Sequence, residues 1–178
     1  MANATLPRPQ AHEFNPYYQK YIDQVPDGDI VETLAREMEA TQALLASVPA
    51  DREEFRYAEG KWSLREVVGH LIDTERLFSF RALWFARGAE GDMPGMDQDA
   101  WARVSTAGSR PLAELAQEWA ALRQSNVLFF GSLTEEDGKR QGVASNFEVT
   151  VRALPWMMAG HELYHRMLIR RDYLGRDG

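Results

Sequence analysis

Four stretches of this chain repeat apolar side chains every three or four positions, the spacing that gives a helix one greasy face. The first runs through Ile30, Leu34, Met38, Thr41, Leu45 and Val48, opens at Asp29, a good N-cap with Glu32 three residues on, and stops at Pro49. Glu32, Glu37 and Glu39 fall largely off its stripe and read as solvated. The second begins at Ser63 and Glu66, spaced as a capping box. It carries Leu64, Val67, Leu71, Thr74, Leu77, Phe78, Arg81, Trp84 and Phe85 to a stop at Gly88. The third has Pro111 in its first turn, an apolar face of Leu112, Leu115, Trp119, Leu122, Asn126, Phe129 and Phe130, and Gly131 at its end. The fourth starts between Thr150 and Leu154 and turns Leu154, Met157, Met158, His161, Tyr164, His165, Leu168 and Ile169 inward. Arg166, Arg170, Arg171 and Arg176 crowd its last turns, where positive charge complements the helix dipole.

The pattern therefore predicts an all-α protein, a four-helix bundle over residues 29–178 behind an N-terminal extension, residues 1–28. The extension holds Pro7, Pro9, Pro16 and Pro26 and no helical period. Its aromatics Phe14, Tyr17, Tyr18 and Tyr21 either pack on the body or, for its first dozen residues, belong to a mobile tail. Residues 89–110 form a long connection with room for a short helix near 97–103, lining a pocket mouth or simply solvated. Residues 134–148 are polar and leave space for a small hairpin around 142–146.

Composition narrows the function. A formal charge of −7 excludes a basic nucleic-acid face. No stretch approaches the length of a membrane span, and the first residues lack the apolar core of a signal peptide, so a cytoplasmic protein is expected. There are no cysteines, hence no thiolate nucleophile and no Cys-type zinc site. A metal would be held by imidazole and carboxylate.

Those ligands are present. His161 and His165 are four apart and share one helix face, the spacing for gripping one ion with two nitrogens. His70 is a polar spot on the inward stripe of the second helix, beside Glu66, Asp73 and Thr74, and can supply a third nitrogen. His12 lies in the extension. Each of the three could equally be a hydrogen-bonded core histidine. Three neutral imidazoles suit Zn²⁺ or Ni²⁺, with Fe²⁺, Mn²⁺ or Cu²⁺ also admitted, and leave a position open for water or substrate. Binding should weaken as pH falls through about 6.5. Residues 161–165 also fit H-E-x-x-H, the metalloprotease motif. Proteases of that kind generally find a third ligand downstream, yet no histidine or glutamate follows His165. Glu162 is left as a general base, a partner of a ligand, or a solvent-facing residue.

Several stretches resemble the DinB-like family of metal-dependent enzymes: residues 60–76 around Trp62, Ser63 and His70, then 81–88, 94–99, 150–154 and 159–165. The resemblance spans roughly residues 29–175. It implies up-down-down-up connectivity, with the long connection as a crossover, and His70, His161 and His165 as the metal triad. It also implies a transferase or isomerase using a low-molecular-weight thiol as co-substrate, or a hydrolase using metal-bound water. Tyr164 stands where relatives often carry an extra histidine. On this reading the partner is a small-molecule substrate, with no nucleic acid and no membrane, and homodimers through bundle faces are open. Glu162, Glu66 and Asp73 are the candidate general bases for hydrolysis, and Trp62, Thr74 and Tyr164 complete the expected pocket. A protein that binds metal in a stress response without turnover is the third reading.

Overall fold

The computed structural model describes residues 6–176. Four long helices carry the fold: α2 (Ile30–Ala46), α3 (Leu64–Ala86), α5 (Leu112–Gly131) and α7 (Ala153–Leu168). Shorter elements connect them: α1 (Gln19–Ile22), α4 (Gln98–Val104), α6 (Glu135–Lys139) and the strands β1 (Gln141–Ala144) and β2 (Phe147–Thr150). Local chemistry sets the starts. Asp29 accepts from the amides of Val31 and Glu32, and Ser63 and Glu66 form the full reciprocal capping box at α3.

Both α2 and α3 pack against α5 and α7, so each lies diagonal to the other. The pairings give direction. Arg76 meets Glu118 and Ser79 meets Asn126, so α3 and α5 run parallel. Thr41 meets Glu162 and Ser47 meets Arg176, so α2 and α7 also run parallel. The Tyr173 hydroxyl bonds the carbonyl of Trp62 while His70 meets His161, so α3 and α7 are antiparallel. The bundle is thus up-down-down-up. Parallel α3 and α5 need a connection running back the length of α3, about 34 Å for 23 residues. Residues 87–111 make that run, with α4 capped by Asp97 inside it. The crossover touches α3 where Gly69 stands: a Cβ there would come 2.4 Å from that of Ala107.

The hairpin pairs Ala144 with Phe147 across Ser145 and Asn146, both at positive φ as a two-residue type I′ turn requires. Helix α6, with its Thr134–Asp137 capping box, lies in the stretch read only as polar.

The extension packs rather than trails, from its first described residue. Leu6, Phe14, Tyr21, Ile22 and Val25 are buried, and Leu6 is in the main core with Trp156, which donates to its carbonyl. The part of the expected tail before Leu6 lies outside the described residues. At Gly160 a Cβ would fall 2.1 Å from the carbonyl oxygen of Tyr21, so only glycine admits this approach. The contact lays the Tyr21 ring against His161, centroids 5.5 Å apart.

Two expectations about charge are corrected. Glu37 is buried, not solvated, because Arg166 reaches back along α7 to it at 2.5 Å. Arg166 accordingly serves an ion pair between helices as well as a helix end. Glu32 and Glu39 are exposed as expected.

Candidate metal centre

Helices α3 and α7 bring together the three histidines that the sequence singled out. One ring nitrogen from each of His70, His161 and His165 lies within 4.8 Å of the others. The Nε2 atoms of His70 and His161 face each other at 3.0 Å. Two nitrogens on a tetrahedral zinc stand about 3.3 Å apart, given bonds of roughly 2.0–2.1 Å. The cluster is already near that size. Among the described residues no fourth His, Cys, Asp or Glu joins it.

Electrostatics favour ligation. Burial pushes the His70 imidazolium down to about 4, against a small opposing pull from Asp99. Burial, with His70 nearby, takes His165 to about 3. His161 is also held well below its ordinary value, by burial and then by His165 and His70. All three therefore present lone pairs at neutral pH, and protonation competes with a metal only below the ordinary imidazole range. The chemistry of the set fits a divalent transition ion. His165 Nδ1 is buried without a hydrogen-bond partner, an atom a ligand would satisfy.

The surroundings sort the other expected residues. Trp62 packs its ring 5.0 Å from that of His70, and Tyr164 lies 5.5 Å from His165 and 5.2 Å from Tyr21. Thr74 is buried one turn beyond His70, its Oγ1 unpartnered. Asp73 shares a narrow cleft with His70 and Gln98, and burial raises its carboxyl above the ordinary range. Glu66 also reaches this cleft, yet its oxygens accept from the Ser63 amide at 2.7 Å and from Arg56 at 2.6 and 3.0 Å.

Glu162 is placed differently from the general-base reading. It follows His161 directly, so a helix turns it about 100° away. There it is buried at 1% exposure, accepts from Thr41 at 2.6 Å, and takes Arg123 Nη1 on its other oxygen. Arg123, fully buried, grips Glu75 with two bonds of 2.8 and 2.9 Å, and Asn126 adds a third at 2.8 Å. Burial lowers the Arg123 pKa, but Glu162 and Glu75 outweigh it and hold the guanidinium above its ordinary value. Glu162 is thus a structural anchor within a network spanning all four helices, and the solvent-facing reading fails with the catalytic one.

Sequence reasoning passed over Arg123, and although it set Arg81 on the stripe of the second helix it gave that buried arginine no role. For Arg123 a signal existed: the buried stripe of α5 is Leu112, Leu115, Trp119, Arg123, Asn126 and Phe130, and its period demands an inward residue at 123.

A helical bundle with a half-closed cluster of three neutral imidazoles is the class this geometry defines. The family follows from the sequence: a model of the DinB superfamily matches residues 33–169, and the chain belongs to that superfamily. A similar solved structure is YfiT from Bacillus subtilis, described as a probable metal-dependent hydrolase with an unusual four-helix bundle topology. It is 19% identical, with a TM-score of 0.67 over 95% of this chain and 94% of that one, a likeness of fold. No curated protein matches the chain in sequence.

Proposed function

We propose that this chain is a metal-dependent enzyme that holds a divalent transition ion, Zn²⁺ or Ni²⁺ foremost, at His70, His161 and His165. On this reading it is a cytoplasmic protein that activates a low-molecular-weight thiol for transfer to a small electrophile. A bound ion of this kind makes a coordinated thiol or water far more acidic. The chain's own residues do the rest. The buried rings stay neutral, and Trp62, Tyr21 and Tyr164 pack around them and fix their orientation.

The observation that carries the choice of a thiol is the state of the carboxylates. Glu162 is spent on Arg123 and Thr41, and Glu66 on Ser63 and Arg56. The cavity of about 240 Å³ between His70, His161 and the extension has no carboxylate in its lining. A thiol, acidic to begin with, needs no protein base once ionised in place, whereas water attack gains ~10²–10⁴-fold from one.

Hydrolysis is the second reading. It is supported by Asp73, whose carboxyl is raised by burial in the cleft beside His70, and by the hydrolase description of the similar fold. The test is a screen of Zn²⁺- and Ni²⁺-loaded protein with small thiols against model electrophiles, and without thiol against esters and amides. Thiol transfer that vanishes in His161→Ala and survives Asp73→Asn is expected. Thiol-independent hydrolysis that collapses in Asp73→Asn would replace the transferase reading.

A further inference from the structure

We propose that the cavity beside the three histidines is an anion-binding subsite, and that the small molecule reacting there carries a carboxylate or phosphate held by Arg81. The inference rests on reading the cluster as the reacting centre, and it names a chemical class for the substrate.

The α3 face that supplies His70 continues along the cavity wall through Thr74, Leu77 and Phe78 to Arg81. Arg81 is only 2% exposed, and among the described residues no carboxylate lies within ion-pair distance of it. A buried guanidinium is costly unless an anion meets it. Its partners here are neutral. Nη2 donates to the Pro94 carbonyl at 2.7 Å and the Ser145 hydroxyl at 3.0 Å, with Tyr18 beside it, while Nε is buried without a partner. Burial accordingly lowers its pKa, with Tyr18 opposing. Thr74 Oγ1, on the same wall between Arg81 and His70, is the second buried polar atom without a partner. Unsatisfied donors along one wall, a fixed positive charge at its end and no acidic group in the lining are what an anionic ligand would complete.

The spacing limits that ligand. His70 and Arg81 are eleven residues apart, about 16 Å of helix rise. Side chains on a helix lean toward its N-terminus, so the guanidinium leans back toward the histidines. The charged group would sit several bonds from the reacting atom. A cavity of about 240 Å³ holds a small molecule and not a polymer.

The test uses the full chain freed of metal, titrated calorimetrically at low ionic strength with glutarate and with inorganic phosphate, and with glutaramide as the neutral control. The wild type should bind at least one anion and ignore the diamide. Arg81→Gln should bind that anion ~10–100-fold more weakly, as expected for a charge-assisted bond, and Arg81→Lys should fall between. Arg81 also ties down Pro94 and Ser145, so a second variant that spares those ties is needed. Thr74→Val leaves those ties intact and should weaken the anion by ~3–10-fold. Because the titrated chain is free of metal, an anion held by a metal cannot account for the binding. No anion binding by the wild type, equal binding by Arg81→Gln and Thr74→Val, or equal binding of the diamide would overturn the proposal. Metal binding is measured separately on the same protein. Loss of the anion subsite alone leaves the metal reading standing, and a protein that takes anion but no metal sinks only the latter.

Discussion

Helices α3 and α7 give residues both to the network of Glu75, Arg123 and Glu162 and to the cluster of His70, His161 and His165, and Glu162 is the next residue after His161. In the network, each oxygen of both carboxylates and each nitrogen of the guanidinium has a protein partner. In the cluster, two nitrogens face each other at 3.0 Å and a third ring keeps a buried nitrogen without a bond. Both regions bury polar groups, which is favourable only where partners are supplied. The network supplies them from α2 and α5 and is complete. The cluster lacks them, and what would complete it must come from outside the chain. Polar burial alone therefore does not mark a site, whereas several ligand-competent groups gathered in one place and left unsatisfied point to one.

Removing the key residue of each region gives the sharpest contrast. Arg123→Met strands two buried carboxylates and should cost about 3–5 kcal/mol of stability, read as a drop in the urea midpoint at constant slope. His161→Ala relieves a crowd of nitrogens and should cost well under half of that. Equal losses would erase the distinction between a structural and an open cluster.

Metal should act on one region only. Zn²⁺ or Ni²⁺ at a hundredfold excess over its dissociation constant should stabilise the wild type by about 2.7 kcal/mol, and chelator should reverse this. His161→Ala should lose the response entirely. Glu162→Gln should start from a lower melting temperature and keep the full metal increment. A melting temperature indifferent to both metal and chelator at pH 7.5 would remove the site.

Acid should separate them next. The imidazoles are depressed in the folded chain, to about 4 for His70 and about 3 for His165, against ~6.5 unfolded. The unfolded chain then binds more protons, so the stability they contribute is complete above pH ~6.5 and is lost as pH falls from there toward 4. The loss should be up to about 3 kcal/mol per imidazole by pH 4.5 in metal-free protein. The difference in urea midpoint between pH 7.5 and 4.5 should shrink in a His70→Asn, His165→Asn double variant. An unchanged difference would show that the rings are not held neutral.

The same contrast explains what could be read from sequence. The helices and their caps were legible because Asp29, Ser63, Glu66 and Pro111 act locally. So was the metal triad as a geometric group, because an i,i+4 pair needs only a helix to become adjacent. Glu162 was not, because its role depends on Arg123 and Thr41, 39 and 121 residues away. Arg81 was set on the stripe of its helix, but its role was hidden for a similar reason: its neighbours come from the crossover and the hairpin turn, whose positions no periodicity records. Leu6 was lost to its Pro-rich context, although the groove beside Trp156 takes it into the core.

The smallest expected effect concerns the crossover, which places Asp99 of α4 near His70 from the solvent side. Asp99 is exposed and is no member of the three-nitrogen group, so it can act on a bound cation only through the field of its charge. Exposed charges at such range are worth little and are screened, over about 10 Å at 0.1 M salt and about 3 Å at 1 M. Asp99→Asn should therefore weaken Zn²⁺ binding about twofold in low salt, measured by competition with a chromophoric chelator, and change nothing at 1 M salt. The buried network, shielded from ions, should show no such dependence: the stability difference between wild type and Arg123→Met should be nearly the same at both salt concentrations. A loss beyond tenfold in Asp99→Asn, persisting at high salt, would make Asp99 a direct ligand and close the position that the proposed chemistry needs open. No loss even at low salt would place α4 away from the site in solution and remove the crossover from its wall.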